Sequence, residues 1–294
     1  MKNSFILLHI AIFLASCSGI FGKLIQLNEV FITWYRMFLA AIIMLFIMLF
    51  NKKRLRLTGE NVKIAGAGFI LGLHWIFFYG SIRYANVSVG VVCFCLSGFF
   101  TALLVPLIRK IRLSVIELLL SGLTIAGILL IFHFDSSFRT GITLGVISSL
   151  LFALFTVLNE GINKVNDIRK TTTCEMLGGT IGIGVLLPVY LYFFPAGRIL
   201  PQSIDFVYLF ILSLVCTVSM YLLLNRAQRN VSAFTVSLSF NLEPIYAIVL
   251  AVLIFDEDRQ LTTSFCIGLA LIILSLLLQM LRVIIHKKQG AVNS

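Results

Sequence analysis

The sequence predicts an all-α polytopic membrane protein with ten transmembrane helices, arranged as two inverted five-helix repeats. Of its 294 residues, 60% are hydrophobic and 12% are charged, and the mean hydropathy is +1.05. A water-soluble fold cannot bury that much apolar surface. Apolar stretches long enough to cross a bilayer recur along the whole chain, and a short motif repeats once at a long interval.

Ten apolar stretches are each long enough to cross about 30 Å of hydrocarbon as a helix. They cover residues 4–22, 30–50, 62–82, 88–108, 114–134, 141–160, 174–194, 206–225, 231–254 and 263–285. The first stretch follows Lys2 and lacks a small-residue cleavage site. We therefore expect a retained helix and not a signal peptide.

The distribution of Lys and Arg predicts the orientation of the chain in the membrane. Seventeen of these residues fall in alternate loops on one side, and Arg36 lies inside a span. The five on the opposite side are Lys23, Arg83, Arg139, Arg198 and Arg259. Both termini should therefore be cytoplasmic in a bacterial plasma (inner) membrane. The net charge of +11 fits anionic lipid headgroups, so nucleic acid is not an expected partner.

An internal repeat divides the chain into residues 1–136 and 137–294. Asn86-Val87-Ser88 at the fourth span recurs 144 residues later as Asn230-Val231-Ser232 at the ninth. Each unit then holds five spans, and because five is odd, the second unit enters the membrane inverted. We expect Asn or Ser in these motifs to cap the helix that follows, in preference to glycosylation.

Glu243 lies near the middle of the apolar run at 231–254, and an intramembrane acid indicates a functional site. Pro244 removes a backbone hydrogen bond, which predicts a helix kink beside the acid. The carboxylate could carry a proton or, when ionised, bind a substrate amine, and the sequence leaves both open. Asn241 joins the same face only where Pro244 unwinds the segment.

Four residues of the first half complete the predicted site. Arg36 either snorkels to the headgroups or attracts an anionic group or Glu243. His74 is either a neutral, hydrogen-bonded core residue or a proton relay. Trp75 and Tyr79 share a helix face, as a stacking wall or as ordinary packing. With Glu243 and Asn241, these residues are expected to border a central cavity that binds a small-molecule substrate.

Several other polar and small residues have a structural interpretation. Glu117 and Glu175 fall near predicted helix starts, where the macrodipole favours acids. The pairs Gly68–Gly72 and Gly178–Gly182 should be close-packing seams. The six cysteines form no ligand cluster, so we expect no metal and no disulfide framework.

The second half resembles the ending of the EamA repeat of the drug/metabolite transporter superfamily. The resemblance rests on the run from Glu243 to Ala251, on Asp256-Glu257, and on the glycine-bearing helix at Gly268. One departure concerns the first half, where Val105-Pro106 stands in place of an acid and proline. We therefore expect no symmetrical pair of acidic gates.

The first half resembles the same family. Trp34 to Ala40 matches its second-helix pattern of an arginine followed four residues later by a small residue, and His74-Trp75 with Tyr79 resembles its third helix. The Asn86-Val87-Ser88 entry is similar to that of its fourth helix. The resemblance implies two inverted five-helix halves that move small metabolites outward, often amino acids or related compounds.

We therefore expect a secondary transporter that exports or exchanges such metabolites by alternating access, as a monomer or homodimer. A proton or another ion is the expected coupling partner. The chain lacks a GxxxxGK[ST] loop, so neither ATP nor another cofactor is expected. The alternatives are a passive channel, a structural membrane protein, or an intramembrane enzyme. The last is not favoured, because Cys95 stands where a nucleophile motif around Ser97 would need glycine.

Overall fold

A computed structural model describes residues 2–52, 59–132, 138–194, 198–255 and 263–292. Within these ranges the regular secondary structure is entirely helical. The helices of the first half are α1 (Lys2–Leu24), α2 (Glu29–Phe50), α3 (Gly59–Tyr84), α4 (Val87–Phe94), α5 (Ser97–Arg109) and α6 (Val115–Phe132). Those of the second half are α7 (Arg139–Val165), α8 (Ile168–Phe193), α9 (Ser203–Ser213), α10 (Met220–Gln228), α11 (Ala233–Ser239), α12 (Glu243–Phe255) and α13 (Thr263–Val292).

Helix length and composition support a multi-pass membrane protein. Among the described residues, seven helical segments are long and apolar enough to cross a membrane, counting α4 with α5 as one and α9 through α10 as another. Two further apolar segments, Val115–Leu130 and Cys266–Gln279, are shorter. The number of ten crossings remains a prediction. Three of the seventeen basic residues on the predicted cytoplasmic side, Lys53, Arg54 and Arg56, lie outside the described ranges, as do Asp256, Glu257 and Arg259.

Two helices are interrupted near their middles, one in each half. α4 ends at Phe94 and α5 begins at Ser97, whereas α11 ends at Ser239 and a 3-10 turn (Phe240–Leu242) precedes α12. Asn86 caps α4 by accepting from the backbone N–H of Val89 at 2.7 Å. In the second half the cap is Ser232, which accepts from Thr235 N–H at 3.3 Å. Asn230 instead donates to the Ser4 hydroxyl at 3.1 Å.

The predicted glycine seams lie between α3 and α8. A side chain at Gly68 would overlap the backbone of Glu175, and one at Gly178 would overlap the backbone of Ala65. The absence of a Cβ at these glycines lets the two backbones approach as closely as membrane helices can. This close contact holds the backbone of Glu175 against α3.

The two ends of the bundle differ in polar structure. At the Glu29 end, Arg83 lies 3.5 Å from the Glu29 carboxylate, and the Tyr190 hydroxyl donates to the same group at 3.0 Å. At the Glu160 end, Arg109, Lys164 and the N-terminus of α11 all meet one buried carboxylate.

Candidate functional site

A small cavity of about 20 Å³ lies between the two halves, well inside the bundle. That volume holds about one water molecule. Its lining consists of aromatic rings and a few polar groups from both halves: Ala15, Ser18, Arg36, His74, Trp75, Phe78, Phe94, Phe152, Met220, Tyr221, Phe240 and Glu243. Four of the six side chains predicted to bind substrate therefore share this central cavity.

Arg36 is fully buried, and its guanidinium is held by neutral groups. Nη1 donates to the hydroxyls of Ser18 and Tyr79, each at 2.8 Å. Nε donates to Thr217 Oγ1 at 2.6 Å, and Nη2 donates to the Cys216 carbonyl at 2.8 Å. Of the two alternatives for Arg36, snorkelling to the headgroups is wrong, because Nε, Nη1 and Nη2 each find an acceptor inside the bundle.

Two further features hold the cation in place. The central carbon of the guanidinium lies 3.7 Å from the centre of the Trp75 ring, a cation–π contact. Thr217 and Cys216 belong to a π-helical turn, Leu214–Ser219, between α9 and α10. Such turns recur at functional sites, and here the widened backbone presents the Cys216 carbonyl to Arg36.

Glu243 is the first residue of α12 and is 4% exposed. The part of the chain that the structure describes supplies no hydrogen bond or ion pair to its carboxylate, which lines the central cavity with Arg36. The helix break expected beside Pro244 lies before it, at Phe240–Leu242, and Pro244 occupies the first turn of α12. In the first turn a backbone N–H has no acceptor within the helix, so proline costs no helical hydrogen bond there.

His74 is buried in the cavity wall and is bonded to α7. Its Nδ1 lies 2.8 Å from Ser148 Oγ and 3.0 Å from the Ser148 carbonyl oxygen. The rings of Phe94 and Phe152 pack against its imidazole. This geometry matches the hydrogen-bonded core alternative for His74, with Nδ1 already occupied.

Tyr79 and Asn241 lie outside the central cavity lining. Tyr79 reaches it through Arg36, to which its hydroxyl is bonded. Asn241 instead donates to Thr124 Oγ1 at 3.4 Å, and its carbonyl oxygen is buried without a partner. Asn241 therefore bonds to α6 and does not share the cavity lining with Glu243.

A second, larger cavity of about 1030 Å³ opens at the Glu29 end. Tyr79 and Ile32 belong to its lining, together with the charged residues Lys23, Glu29, Arg83 and Arg198. Because Tyr79 bonds to Arg36, the larger cavity approaches the central one from this end. Of the four groups that accept hydrogen bonds from Arg36, only Tyr79 lines the larger cavity.

The Glu160 end is held together by ionic contacts that the sequence analysis missed, beside a cavity of about 120 Å³ that Arg109 and Glu160 also line. The Glu160 carboxylate accepts from Arg109 Nη2 at 2.7 Å, from Lys164 Nζ at 2.7 Å, and from the backbone N–H of Ala233 at 2.9 Å. These contacts tie α5, α7 and α11 together. Glu160 was overlooked because it falls at the edge of a predicted span, where an acid is unremarkable.

Glu175 was also misplaced by the sequence analysis. α8 begins at Ile168, so Glu175 lies about two turns inside the helix and beyond the reach of the first-turn macrodipole. It is fully buried beside Asn225, which donates to it at 3.0 Å. In the described parts of the chain, no three His, Cys, Asp or Glu side chains meet as a metal site.

Comparison with known proteins places this geometry in a family. The sequence profile of the EamA-like transporter family matches residues 3–133 and 139–281. A relative from Bacillus subtilis (strain 168), named Uncharacterized transporter YyaM, is 27% identical over 260 residues, covering 83% of this chain and 81% of the relative. A relative from Clostridium kluyveri, named Uncharacterized transporter, is 22% identical over 293 residues, covering 93% and 92%.

A solved crystal structure supports the same architecture. It superposes with a TM-score of 0.71 at 14% sequence identity, covering 94% of this chain and 96% of the other. At that identity the likeness bears on the fold alone. The family profile, in contrast, matches most of the chain in two consecutive stretches. The chain therefore belongs to the EamA-like transporter family, and its role is that of a membrane transporter.

Proposed function

We propose that the chain is a secondary transporter that exports or exchanges small, amino-acid-like metabolites by alternating access through the central cavity. One observation carries the proposal: Arg36 and Glu243, of opposite charge, line the same enclosed cavity. Glu243 has no described hydrogen-bond partner, whereas Arg36 has neutral partners only. A zwitterion would offer an ammonium to Glu243 and a carboxylate to Arg36.

The remaining cavity lining suits a small organic side chain. His74 and Trp75 contribute polar edges and flat faces, and Phe94, Phe152 and Phe240 supply apolar surface. We assign substrate contact to Arg36, His74, Trp75 and Glu243. Tyr79 positions Arg36, and Asn241 is left out because it bonds to Thr124. The central cavity must widen to admit a substrate of several atoms.

The contrast between the two ends supports alternating access. A cavity of about 1030 Å³ opens at the Glu29 end, whereas the Glu160 end is held by ion pairs. The excess of basic residues favours a cytoplasmic location for the Glu160 end, with both termini. The conformation then faces outward, and transport requires the Arg109–Glu160 contact to open toward the inside.

Two features support an inverted repeat of two five-helix halves, residues 1–136 and 137–294, and hence ten crossings. The family profile matches once in each half. Each half also carries an interrupted helix, after Phe94 and after Ser239. Inverted repeats with broken helices place substrate at the midplane. We infer that the protein works in a bacterial inner membrane, with a proton or another ion as coupling partner.

Counterflow in proteoliposomes tests the proposed function. Liposomes preloaded with a mixture of unlabelled neutral amino acids should accumulate labelled ones above equilibrium when they contain wild-type protein. Glu243→Gln should reduce this accumulation at least tenfold, since it keeps the shape and removes the charge. The matched control is Glu117→Gln, because Glu117 pairs with Arg282 away from the central cavity.

Three outcomes would contradict the proposal. Normal counterflow by Glu243→Gln over a broad pH range would remove the charge from the mechanism. Non-saturable flux without counterflow would indicate a passive channel. Formation of a new product from the probe would indicate an enzyme.

A further inference from the structure

A second polar site lies apart from the central cavity, among α7, α8 and α10. Its members are fully buried, and all but one are uncharged: Asn159, Asn163, Thr172, Glu175, Asn225 and Gln228. We call this set the amide cluster. Tyr221 separates it from the central cavity, lining that cavity one helical turn before Asn225. These residues do not contact the proposed substrate. The free-energy cost of burying them in a membrane protein therefore needs another explanation.

Asn225 is the centre of the cluster, and its amide is completely used. Its Nδ2 donates to Glu175 Oε2 and to Thr172 Oγ1, both at 3.0 Å. Its Oδ1 accepts from Asn159 Nδ2 at 2.8 Å and from Asn163 Nδ2 at 3.1 Å. Asn225 therefore has no hydrogen-bonding capacity left for other groups.

The cluster is short of a hydrogen-bond donor beside Glu175. Glu175 Oε1 and Asn159 Oδ1 are both buried without a partner, and both are acceptors when the carboxylate is ionised. The Asn159 amide lies next to the same carboxyl group and is close enough to interact with it, but it does not meet hydrogen-bond geometry toward Oε1. Leaving two such acceptors unpaired in a low-dielectric interior is costly.

Reorienting the amides does not complete the cluster. If the Asn159 amide alone is turned over, its oxygen faces Asn225 Oδ1 across 2.8 Å, so the Asn225 amide must turn as well. If the Asn225 amide is turned over, its oxygen faces Glu175 Oε2 across the same 3.0 Å. Two oxygens at that distance need a proton between them. In either orientation one hydrogen is missing, and a proton on Glu175 provides it.

No fixed cation near Glu175 takes the place of that proton. Among the described neighbours, the titratable groups that face it are Tyr221 on α10 and Cys174 on its own helix. From α3 it meets the backbone at Gly68, and from α7 it meets Asn159. The basic side chains at the Glu160 side of the cluster are engaged elsewhere, since Lys170 pairs with Glu60, and Arg229 donates to the carbonyls of Asn163 and Asn166.

We propose that Glu175 in the amide cluster is a proton-binding site, separate from the substrate site, that couples transport to the proton gradient. The proposal rests on the proposed transport function. A proton from water adds to the carboxylate and donates from its O–H to an amide oxygen; its release to water restores the anion. Asn163 and Gln228, one turn from Asn159 and Asn225 toward the Glu160 end, bond to each other at 2.9 Å and mark the route to that end.

Infrared spectroscopy of the purified protein tests the site without any transported substrate. Wild-type protein in detergent at neutral pH should show the C=O band of a protonated, buried carboxylic acid. Glu175→Gln should lose the part of that band that Glu175 contributes. Glu243→Gln should retain that part. An unchanged band in Glu175→Gln would overturn the proposal.

A second variant covers the case in which Glu175→Gln fails to fold. Asn159→Ala leaves the carboxyl in place but removes its neighbour, so the band should shift in frequency. A purely structural Asn159 would change the unfolding temperature without moving the band. A band at the wild-type frequency in Asn159→Ala would overturn the assignment.

Proteoliposome flux then tests the coupling. With labelled neutral amino acids as the probe, an imposed pH gradient should accelerate wild-type flux, and Glu175→Gln should lose that acceleration. Flux driven by a sodium gradient at fixed pH, and lost in Glu175→Gln, would overturn the proton assignment in favour of Na⁺. Absence of amino-acid flux from every variant would contradict the proposed function, while the infrared result still decides whether Glu175 binds a proton.

Discussion

Glu160 and Glu243 are both buried carboxylates, with exposed fractions of 3% and 4%, but they have opposite surroundings. Glu160 accepts from two cations and a backbone N–H, whereas no described group donates to Glu243. A buried charge that is fully paired holds helices together, and one without fixed partners is available to a ligand. Their partners, and not burial alone, therefore support a structural role for Glu160 and the proposed binding role of Glu243.

Arg36→Met should have the largest effect on stability, on the order of 3 kcal/mol. The substitution keeps the apolar stem but leaves acceptors at Ser18, Tyr79, Thr217 and Cys216 without their donor, and leaves Glu243 without a nearby cation. Thermal unfolding in detergent measures the loss. Unfolding at the wild-type temperature would mean that the Glu243 region does not depend on its cation.

Glu160→Gln should cost about 2 kcal/mol, because charge-assisted hydrogen bonds to Arg109 and the α11 N-terminus are weakened. The matched control is Lys164→Ala, which removes a half-exposed partner and should cost about 0.5 kcal/mol. Chemical unfolding of the two variants gives the difference. Equal costs would contradict the structural role assigned to the Arg109 and Ala233 contacts.

Ser148→Ala should cost about 1 kcal/mol, through loss of the hydroxyl that bonds to His74 Nδ1. The His74 imidazole keeps the Ser148 carbonyl as a partner but loses one of the two contacts that orient it, so substrate affinity should fall more than maximal flux. Saturation curves in proteoliposomes measure both quantities. Ser149→Ala is the comparison, since its hydroxyl bonds to the Gly145 and Cys93 carbonyls and does not touch His74.

Glu243→Gln should have the smallest effect on stability, within about 0.5 kcal/mol of wild type, or should stabilise the protein. No described hydrogen bond is lost, and the Arg36 guanidinium keeps its four neutral acceptors and the Trp75 ring when the Glu243 charge is removed. Unfolding and counterflow measured on the same preparation separate the two effects. A large loss of stability would show that Glu243 has a structural role like that of Glu160.

Local patterns in the sequence located several residues of the candidate site and of the helices that support it. An acid in an apolar run located Glu243, a repeated motif located the Asn86 cap, and small-residue spacing located the seam at Gly68 and Gly178. The family resemblance, which the profile match confirms, rested on the order of such patterns along the chain.

The errors arose where partners are distant in sequence. The acceptors of Arg36 include Thr217, 181 residues away, so nothing near Arg36 excluded snorkelling. Glu175 was assigned to a helix start because the predicted span began at residue 174, whereas α8 starts at Ile168. Helix boundaries are the weakest part of sequence-based prediction, and a shift of six residues hid a buried acid.

The π-helical turn at Leu214–Ser219 has a consequence for angular register. A π turn holds one residue more than an α turn, which rotates everything after it by about 100° relative to an uninterrupted α-helix. Tyr221, packed edge-on against Trp75, and Asn225, bonded to Glu175, both follow it. Deleting a single residue from the turn would swing both side chains off their partners at once. One extra residue thus sets the direction of the side chains on α10, which lies between the central cavity and the amide cluster.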